Sequence, residues 1–201
     1  PLGVLRPGVY ETEVWFQSEC SDTSLAQFTL TIVVNGEVIA VENQNPTFLD
    51  RYVISFEVFG DGTAQVGPGG FVGSASQILD LNSETALPVQ INQPVTGSIN
   101  QQNTFDVYTF QGTPGDVVNI NMRATSGTLD TNILLLDPNG IEVASNDDAD
   151  PALVTGTQGR TPDSLINAYV VPVQGTYTIV ATRYATIFGG TSGTYTLTVN
   201  Q

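Results

Sequence analysis

The sequence predicts an all-β protein composed of two tandem antiparallel β-sandwich domains. Three observations lead to this prediction. The 201-residue chain contains 20 glycines and 11 prolines, the residues that most often mark turns. Many short segments alternate apolar and polar side chains with the two-residue period of a half-buried strand. No segment shows the 3.6-residue period of an amphipathic helix.

The first half of the chain contains five predicted strands. They cover residues 9–16, 28–34, 37–41, 52–58 and 63–66. Asn35 and Gly36 tolerate positive φ and form a strong β-hairpin signal between the second and third of these strands. The glycine-rich stretch 67–70, which includes Pro68, is expected to end this region. Because each strand alone would expose one apolar face, we expect the strands to close into a sandwich.

The second half shows the same kind of alternation. Its predicted strands cover residues 95–99, 105–110, 117–122, 133–136, 165–171, 177–184 and 195–199. Between the halves the pattern weakens, so that residues 79–81 indicate a short strand and residues 83–94 a linker. We therefore predict one domain at residues 1–88 and a second at residues 89–201. A weak internal repeat, in which residues 35–40 resemble 139–144, supports this division, although two threonine-rich β domains can also align by chance.

The stretch from 129 to 150 is the most distinctive part of the chain. Its apolar run 133–136 is expected to form a buried strand, which the Asp-Pro-Asn-Gly turn at 137–140 reverses into a second short strand. Carboxylate and amide side chains gather where that second strand ends, and such oxygens are the ligands that Ca²⁺ needs. The predicted Ca²⁺ ligands are Asp130, Asn146, Asp147, Asp148 and Asp150. The alternative interpretation is a solvated acidic loop.

Charge and residue types exclude several classes of function. The chain has 20 acidic residues against 5 arginines, no lysine, and a formal net charge of −15. Such a surface repels nucleic acid and anionic membrane, so neither is an expected partner. The absence of histidine removes the commonest general base and rules out Ser-His-Asp and Cys-His devices. We therefore expect a protein that is not an enzyme and has no catalytic residues.

Cys20 is the only cysteine, so the chain cannot form an intramolecular disulfide. A small buried apolar side chain is the preferred interpretation, and an intermolecular bridge is the alternative. The sequence starts at Pro1, with neither a signal peptide nor an apolar run long enough to span a membrane, so we expect a mature or excised product. The acidic, threonine-rich composition favours an extracellular or cell-surface location.

Residues 95–199 carry a series of short motifs. These are TGSI at 96–99, DVYTF at 106–110, PGDVV at 114–118, LDT at 129–131, LDPNG at 136–140, NDD at 146–148, DSLI at 163–166, GTYTIV at 175–180 and GTYTLTV at 193–199. In these motifs the segment resembles the bacterial pre-peptidase C-terminal domain, a jelly-roll-like β-sandwich found behind secreted peptidases. The resemblance implies a secreted, non-catalytic module, with Ca²⁺ sites and matrix or carbohydrate binding in some relatives. Residues 1–88 resemble no family that we can name.

The preferred functional hypothesis is a non-enzymatic extracellular structural protein, a self-assembling subunit of a surface filament or layer, whose partner is another copy of the chain. Lysine commonly protects edge strands, and its absence here favours such assembly. In this hypothesis residues 1–7 add as a strand to an open sheet edge of the next copy, because Leu2, Val4 and Leu5 lie outside the first well-patterned strand. The alternative for this segment is an ordinary edge strand of its own domain.

A second hypothesis is an accessory module of a secreted hydrolase that binds a polysaccharide or a matrix protein. Exposed aromatic side chains clustered on one sandwich face would favour carbohydrate binding. The candidates are Trp15, Tyr184 and Phe188, which are scattered in the sequence. For each of them we expect a role in core or rim packing.

Overall fold

The computed structural model describes residues 5–16, 26–47, 50–73, 79–150 and 163–201. Strands dominate these residues, which confirms the all-β prediction, and two 3₁₀ turns lie at Leu81–Ser83 and Thr186–Phe188. The strands, numbered in chain order, are β1 Gly8–Trp15, β2 Phe28–Val34, β3 Glu37–Gln44, β4 Arg51–Val58, β5 Ala64–Phe71, β6 Leu87–Pro88, β7 Val95–Ile99, β8 Phe105–Gly112, β9 Val117–Ala124, β10 Thr131–Leu136, β11 Glu142–Asn146, β12 Ser164–Val170, β13 Gly175–Arg183 and β14 Gly193–Asn200.

The chain divides into two compact units, each with its own core. The first unit comprises Pro1–Ser74 and Ile187–Gly190, and the second comprises Ala75–Thr186 and Thr191–Gln201. The predicted domain limits, 1–88 and 89–201, stay a prediction.

The first unit contains a three-stranded antiparallel sheet in the order β1-β4-β5 and a two-stranded sheet formed by the β2–β3 hairpin. Alternation in the sequence places one face of each strand inward, so apolar side chains of the two sheets meet in one cluster. Ile32 and Val34 of β2 are buried there with Ile54 of β4. The ring of Tyr10 stacks on Phe56 with the centroids 5.4 Å apart.

Strand β5 extends beyond its predicted end. The stretch 67–70 does not terminate the strand but belongs to it, and pairing with β4 continues to Phe71. Two physical reasons explain the error. β5 is an edge strand, where the missing N–H of Pro68 is tolerated. At Gly67 and Gly69 a Cβ would collide with Ser55 and Tyr52, so glycine allows close packing against β4.

The second unit is a sandwich of a five-stranded and a four-stranded sheet. The strand orders are β11-β10-β13-β8-β6 and β12-β9-β14-β7. Ile120, Ile133, Ile179 and Leu197 have no solvent-exposed surface between the sheets, in agreement with the inward faces that alternation predicts. The sheets of the first unit and this sandwich together confirm the prediction of tandem antiparallel β-sandwiches.

The segment before β7 is more ordered than the linker that the sequence predicts. Residues Leu87–Pro88 form the short strand β6, which pairs in parallel with β8. The predicted strand at 79–81 is wrong, because the chain forms a 3₁₀ turn at Leu81–Ser83. Asp80 caps this turn by accepting the backbone N–H of Asn82, at 3.2 Å. Such capping competes with strand formation in a segment that has little apolar alternation.

A buried phenol and a buried guanidinium are among the polar groups inside the second unit. The hydroxyl of Tyr195 donates to Oδ2 of Asp106 at 2.5 Å and lies 2.9 Å from the hydroxyl of Tyr108. Arg183 is fully buried, and its Nε donates to the carbonyl of Thr186 at 2.8 Å. Its Nη1 donates to the carbonyl of Thr191 at 2.9 Å. These hydrogen bonds offset the desolvation of the buried phenol and guanidinium.

Candidate functional site

The hairpin β10–β11 carries the first candidate site, and its geometry follows the turn sequence. Asp137 accepts the backbone N–H groups of Asn139 and Ile141 on Oδ1, at 2.8 and 2.9 Å. Gly140 adopts φ +78°, a conformation that favours glycine. The pKa of the Asp137 carboxyl is lowered chiefly by the hydrogen bond from the Ile141 amide. The hydrogen bond from the Asn139 amide lowers it further. The turn therefore fixes the hairpin that ends at Asn146.

Asn146, one of the predicted Ca²⁺ ligands, is the last residue of β11 and holds the start of β12. Its Oδ1 accepts the backbone N–H of Leu165 at 2.7 Å, while its Nδ2 donates to the carbonyl of Asp148 at 3.0 Å. The carbonyl of Asp147 accepts a hydrogen bond from Ser164 Oγ at 3.3 Å. The amide side chain thus ties the end of β11 to the start of β12 through hydrogen bonds within the protein.

Asp163, the residue directly before β12, was not among the predicted ligands. It is buried, and its Oδ1 accepts the backbone N–H of Ala124 at 2.9 Å. Its Oδ2 lies 3.7 Å from Nε of the exposed Arg123. Its carbonyl accepts the N–H of Ala149 at 2.7 Å. Asp163 therefore joins Ala149 to the end of β9, a role indicated in the sequence only by its position before the apolar stretch 165–171.

The structure does not gather the predicted ligands into one metal centre within the described ranges. Asp130 lies between β9 and β10, where its N–H donates to Thr191 Oγ1 at 3.2 Å and its carbonyl accepts the N–H of Tyr184. In those ranges, which include Asp147, Asp148 and Asp150, no three acidic, cysteine or histidine residues form a group able to hold a metal ion. Ca²⁺ binding therefore stays a prediction.

Trp15 provides a second candidate site, in the first unit. A packing role was expected, but 54% of this residue is solvent-exposed, whereas Tyr184 and Phe188 are partly buried. Among the described aromatic residues only Trp15 and Phe59 are classed as exposed. The alternation of β1 gave a partial signal for this, since it places Trp15 with Glu11 and Glu13 on the face opposite to that of Tyr10 and Val14.

Two charged neighbours fix the orientation of the Trp15 ring. Trp15 is the last residue of β1 and pairs in register with Arg51, the first residue of β4. The guanidinium carbon of Arg51 lies 5.2 Å from the ring centroid, in cation–π contact. The indole Nε1 donates to Oε2 of Glu13 at 2.5 Å. The ring is therefore held at the end of an edge strand with much of its surface open to solvent.

Two expectations fall partly or wholly outside the described residues. Cys20 lies outside them, so its predicted burial stays a prediction. The proposed donor strand 1–7 is described only from Leu5, which is 37% exposed. In the described ranges no helix is long and apolar enough to span a membrane.

Comparisons with known proteins find a family match within the second unit. Residues 104–183 match the family model of the bacterial pre-peptidase C-terminal domain. No curated protein matches the chain. One similar solved structure is the pre-peptidase C-terminal domain of a Bacillus anthracis collagenase. The similarity covers 58% of this chain and 95% of the collagenase domain, with 21% sequence identity and a TM-score of 0.44.

Two further solved structures are similar to this chain. The g-type lysozyme inhibitor PliG of Aeromonas hydrophila matches 57% of this chain and 96% of its own, at 15% identity and a TM-score of 0.33. The secreted serine protease VesC of Vibrio cholerae matches 98% of this chain and 48% of its own, at 10% identity and a TM-score of 0.33. This chain thus spans about half of the protease chain.

The family match agrees with the resemblance seen in the motifs of residues 95–199. Domains of this family occur in secreted proteases, where they are accessory and non-catalytic. Residues 104–183 of this chain therefore form a bacterial pre-peptidase C-terminal domain.

Proposed function

We propose that the chain is a non-catalytic, extracellular accessory module that holds a secreted hydrolase on an insoluble polymer. The observation that carries this proposal is the match of residues 104–183 to the pre-peptidase C-terminal family. An accessory module acts by raising the local concentration of its enzyme on the substrate, which requires a binding surface and no catalytic group. The chain's lack of histidine is consistent with that role.

Charge restricts the polymers that such a module would bind. With a net charge of −15, the chain would be repelled by polyanions at low ionic strength. Uncharged polysaccharides and fibrous matrix proteins without strong acidic character are the remaining classes. Between them, the exposed Trp15 favours a polysaccharide, because an aromatic ring offers an apolar face for stacking.

Co-sedimentation of the full chain with insoluble polymers tests this proposal. Cellulose, chitin and collagen fibres would be incubated with the chain in physiological salt, with a neutral cross-linked agarose as the background. The proposal predicts saturable retention on at least one of the three polymers. Retention on none of them above background would contradict it.

Self-assembly is the second candidate function, and one surface favours it. Val33, Val38 and Val41 on the β2–β3 hairpin are 52%, 60% and 53% exposed. Exposed β-branched residues on a two-stranded sheet suit strand addition by another copy. The hypothesis predicts fibres or layers that disappear, leaving folded monomers, when residues 1–7 are deleted. Fibres that persist after the deletion would reject strand donation by this segment.

A further inference from the structure

We propose that Trp15, oriented by Glu13 and Arg51, is the stacking platform of a neutral-glycan site in the first unit. This inference rests on the proposed accessory function and names the binding surface and the ligand class. It concerns a part of the chain that lies outside the matched family segment 104–183.

The geometry leaves a particular part of the indole available. Arg51 covers one face of the ring at 5.2 Å, and Glu13 accepts the indole N–H. Trp15 is nevertheless 54% exposed, so part of the residue is open to a ligand. The C–H-rich face of a pyranose can stack on such a surface, as other apolar groups do on aromatic rings.

The same geometry argues against recognition of a proline-rich peptide. Peptides of that kind bind in grooves lined by several aromatic residues. The other exposed aromatic residue among those described, Phe59, follows the opposite end of β4 from Arg51. Eight residue steps along an extended chain separate these ends by about 25 Å, too far for one groove. The indole N–H, a usual donor to peptide carbonyls, is also engaged by Glu13.

The platform is built to be rigid and accessible. β1 is an edge strand of the three-stranded sheet, and its ladder with β4 runs from Gly8 to Trp15. The cation–π contact and the charge-assisted hydrogen bond both restrict the rotamers of Trp15 before a ligand arrives. Less side-chain entropy is then lost on binding, so a small contact area yields more affinity.

The first measurement uses the chain's single tryptophan, whose emission reports on Trp15 alone. The intact chain would be titrated with cellohexaose and with chitohexaose, and with a proline-rich peptide as the competing class. Stacking of a sugar predicts a saturable change in emission with at least one oligosaccharide. No change with either sugar, or a saturable change with the peptide alone, would overturn the inference.

The second measurement separates binding from folding by substitution. Trp15→Ala is expected to weaken retention on the polymer that binds the intact chain by about tenfold or more, the range of one lost aromatic contact. Trp15→Tyr keeps a ring and should weaken it less. Ile141→Ala, at a residue 61% exposed in the second unit, should leave retention unchanged. Unfolding in urea would establish that each variant is folded.

The two proposals fail in different ways. If the intact chain is retained and folded Trp15→Ala is retained equally well, the Trp15 site is wrong while the accessory function stands. If the intact chain is retained on no polymer, the accessory function itself has failed.

Discussion

At the scale of single residues, Tyr195 illustrates how the core of the second unit tolerates polar atoms. Its ring is fully buried, with its hydroxyl between Asp106 and Tyr108. Burial is the main cause that raises the pKa of the Tyr195 phenol well above its usual range. The hydrogen bond to Asp106 raises this pKa further. Burial also raises the pKa of Tyr108. The folded chain therefore keeps both phenols protonated in alkaline solution.

This difference predicts a loss of stability at alkaline pH. Above about pH 10 an unfolded tyrosine releases its proton, while the folded chain retains it on Tyr195. The unfolded state then binds fewer protons, so the free energy of unfolding falls as pH rises, by about 1.4 kcal/mol in total between about pH 9 and 11 for this one group. Urea unfolding between about pH 9 and 11 measures how the free energy of unfolding changes with pH. This interval extends about one unit on each side of the pKa of an unfolded tyrosine. A stability that stays constant across it would contradict the buried network.

The variant Tyr195→Phe isolates this hydroxyl. It leaves the Asp106 carboxylate and the Tyr108 hydroxyl without their shared partner, so we expect a loss of about 1–3 kcal/mol at neutral pH and a shallower alkaline slope. Tyr10→Phe is the matched control, since the Tyr10 hydroxyl donates to the Arg6 carbonyl at an exposed position. Its expected effect on the free energy of unfolding is within about 0.5 kcal/mol. Equal effects of the two substitutions would refute the assignment.

Other features at this scale were not predictable from the sequence. Arg183 is the last residue of the apolar strand β13 and resembles any surface arginine in the sequence, yet it is fully buried and donates hydrogen bonds to the carbonyls of Thr186 and Thr191. The exposure of Trp15 was not predictable from alternation alone, because tryptophan is highly buried on average. Both outcomes depend on tertiary neighbours that local patterns do not encode.

At the scale of elements, the sequence predicted best where turn chemistry and alternation agree. The Asn-Gly turns after β2 and within the β10–β11 hairpin lie where expected, since positive φ at Gly36 and Gly140 needs these residues. Prediction failed at β5 and β6. There the local composition, rich in glycine or proline, favours a turn, but an edge position in a sheet permits pairing.

Two turn glycines allow the cost of backbone strain to be separated from the cost of packing. Gly140 and Gly127 have φ +78° and +74°, but a Cβ meets nothing within 4 Å at Gly140 and overlaps the Ser192 carbonyl at Gly127. Gly140→Ala should therefore cost about 1 kcal/mol from strain alone. Gly127→Ala should cost roughly 3 kcal/mol or more, because a backbone atom must move. Equal losses in urea unfolding would show that the Gly127 turn packs less tightly than described.

The loop after β11 carries the calcium hypothesis, which remains open to test. If Asp130, Asn146, Asp147, Asp148 and Asp150 bind Ca²⁺, the folded state gains about 2.7 kcal/mol at a free concentration one hundred times Kd. Melting temperatures in millimolar Ca²⁺ and in excess chelator measure this gain. Asp148→Asn should reduce it, whereas Glu57→Gln, an exposed residue of β4, should not. The same melting temperature in both solutions would mean that the loop is held by its own hydrogen bonds, such as that from Leu165 to Asn146.

At the scale of the whole molecule, composition and alternation were sufficient to predict two antiparallel sandwiches. The limits between them were harder to predict, because residues 79–94 combine a capped turn and a two-residue strand, neither of which has a periodic signal. Function was predictable only as far as the motifs of the second half extend. The first half contributes Trp15, whose proposed role depends on three-dimensional exposure rather than on a motif.

The central proposal is that the chain holds a hydrolase on an insoluble polymer. The most direct measurement compares a single-domain hydrolase, alone and fused to this chain, on the insoluble form of its substrate and on soluble fragments of it. An accessory module should raise the rate on the insoluble polymer several-fold through local concentration and leave kcat/KM on the soluble fragments unchanged. Equal rates of the fused and unfused enzymes on the polymer that retains the chain would contradict the account.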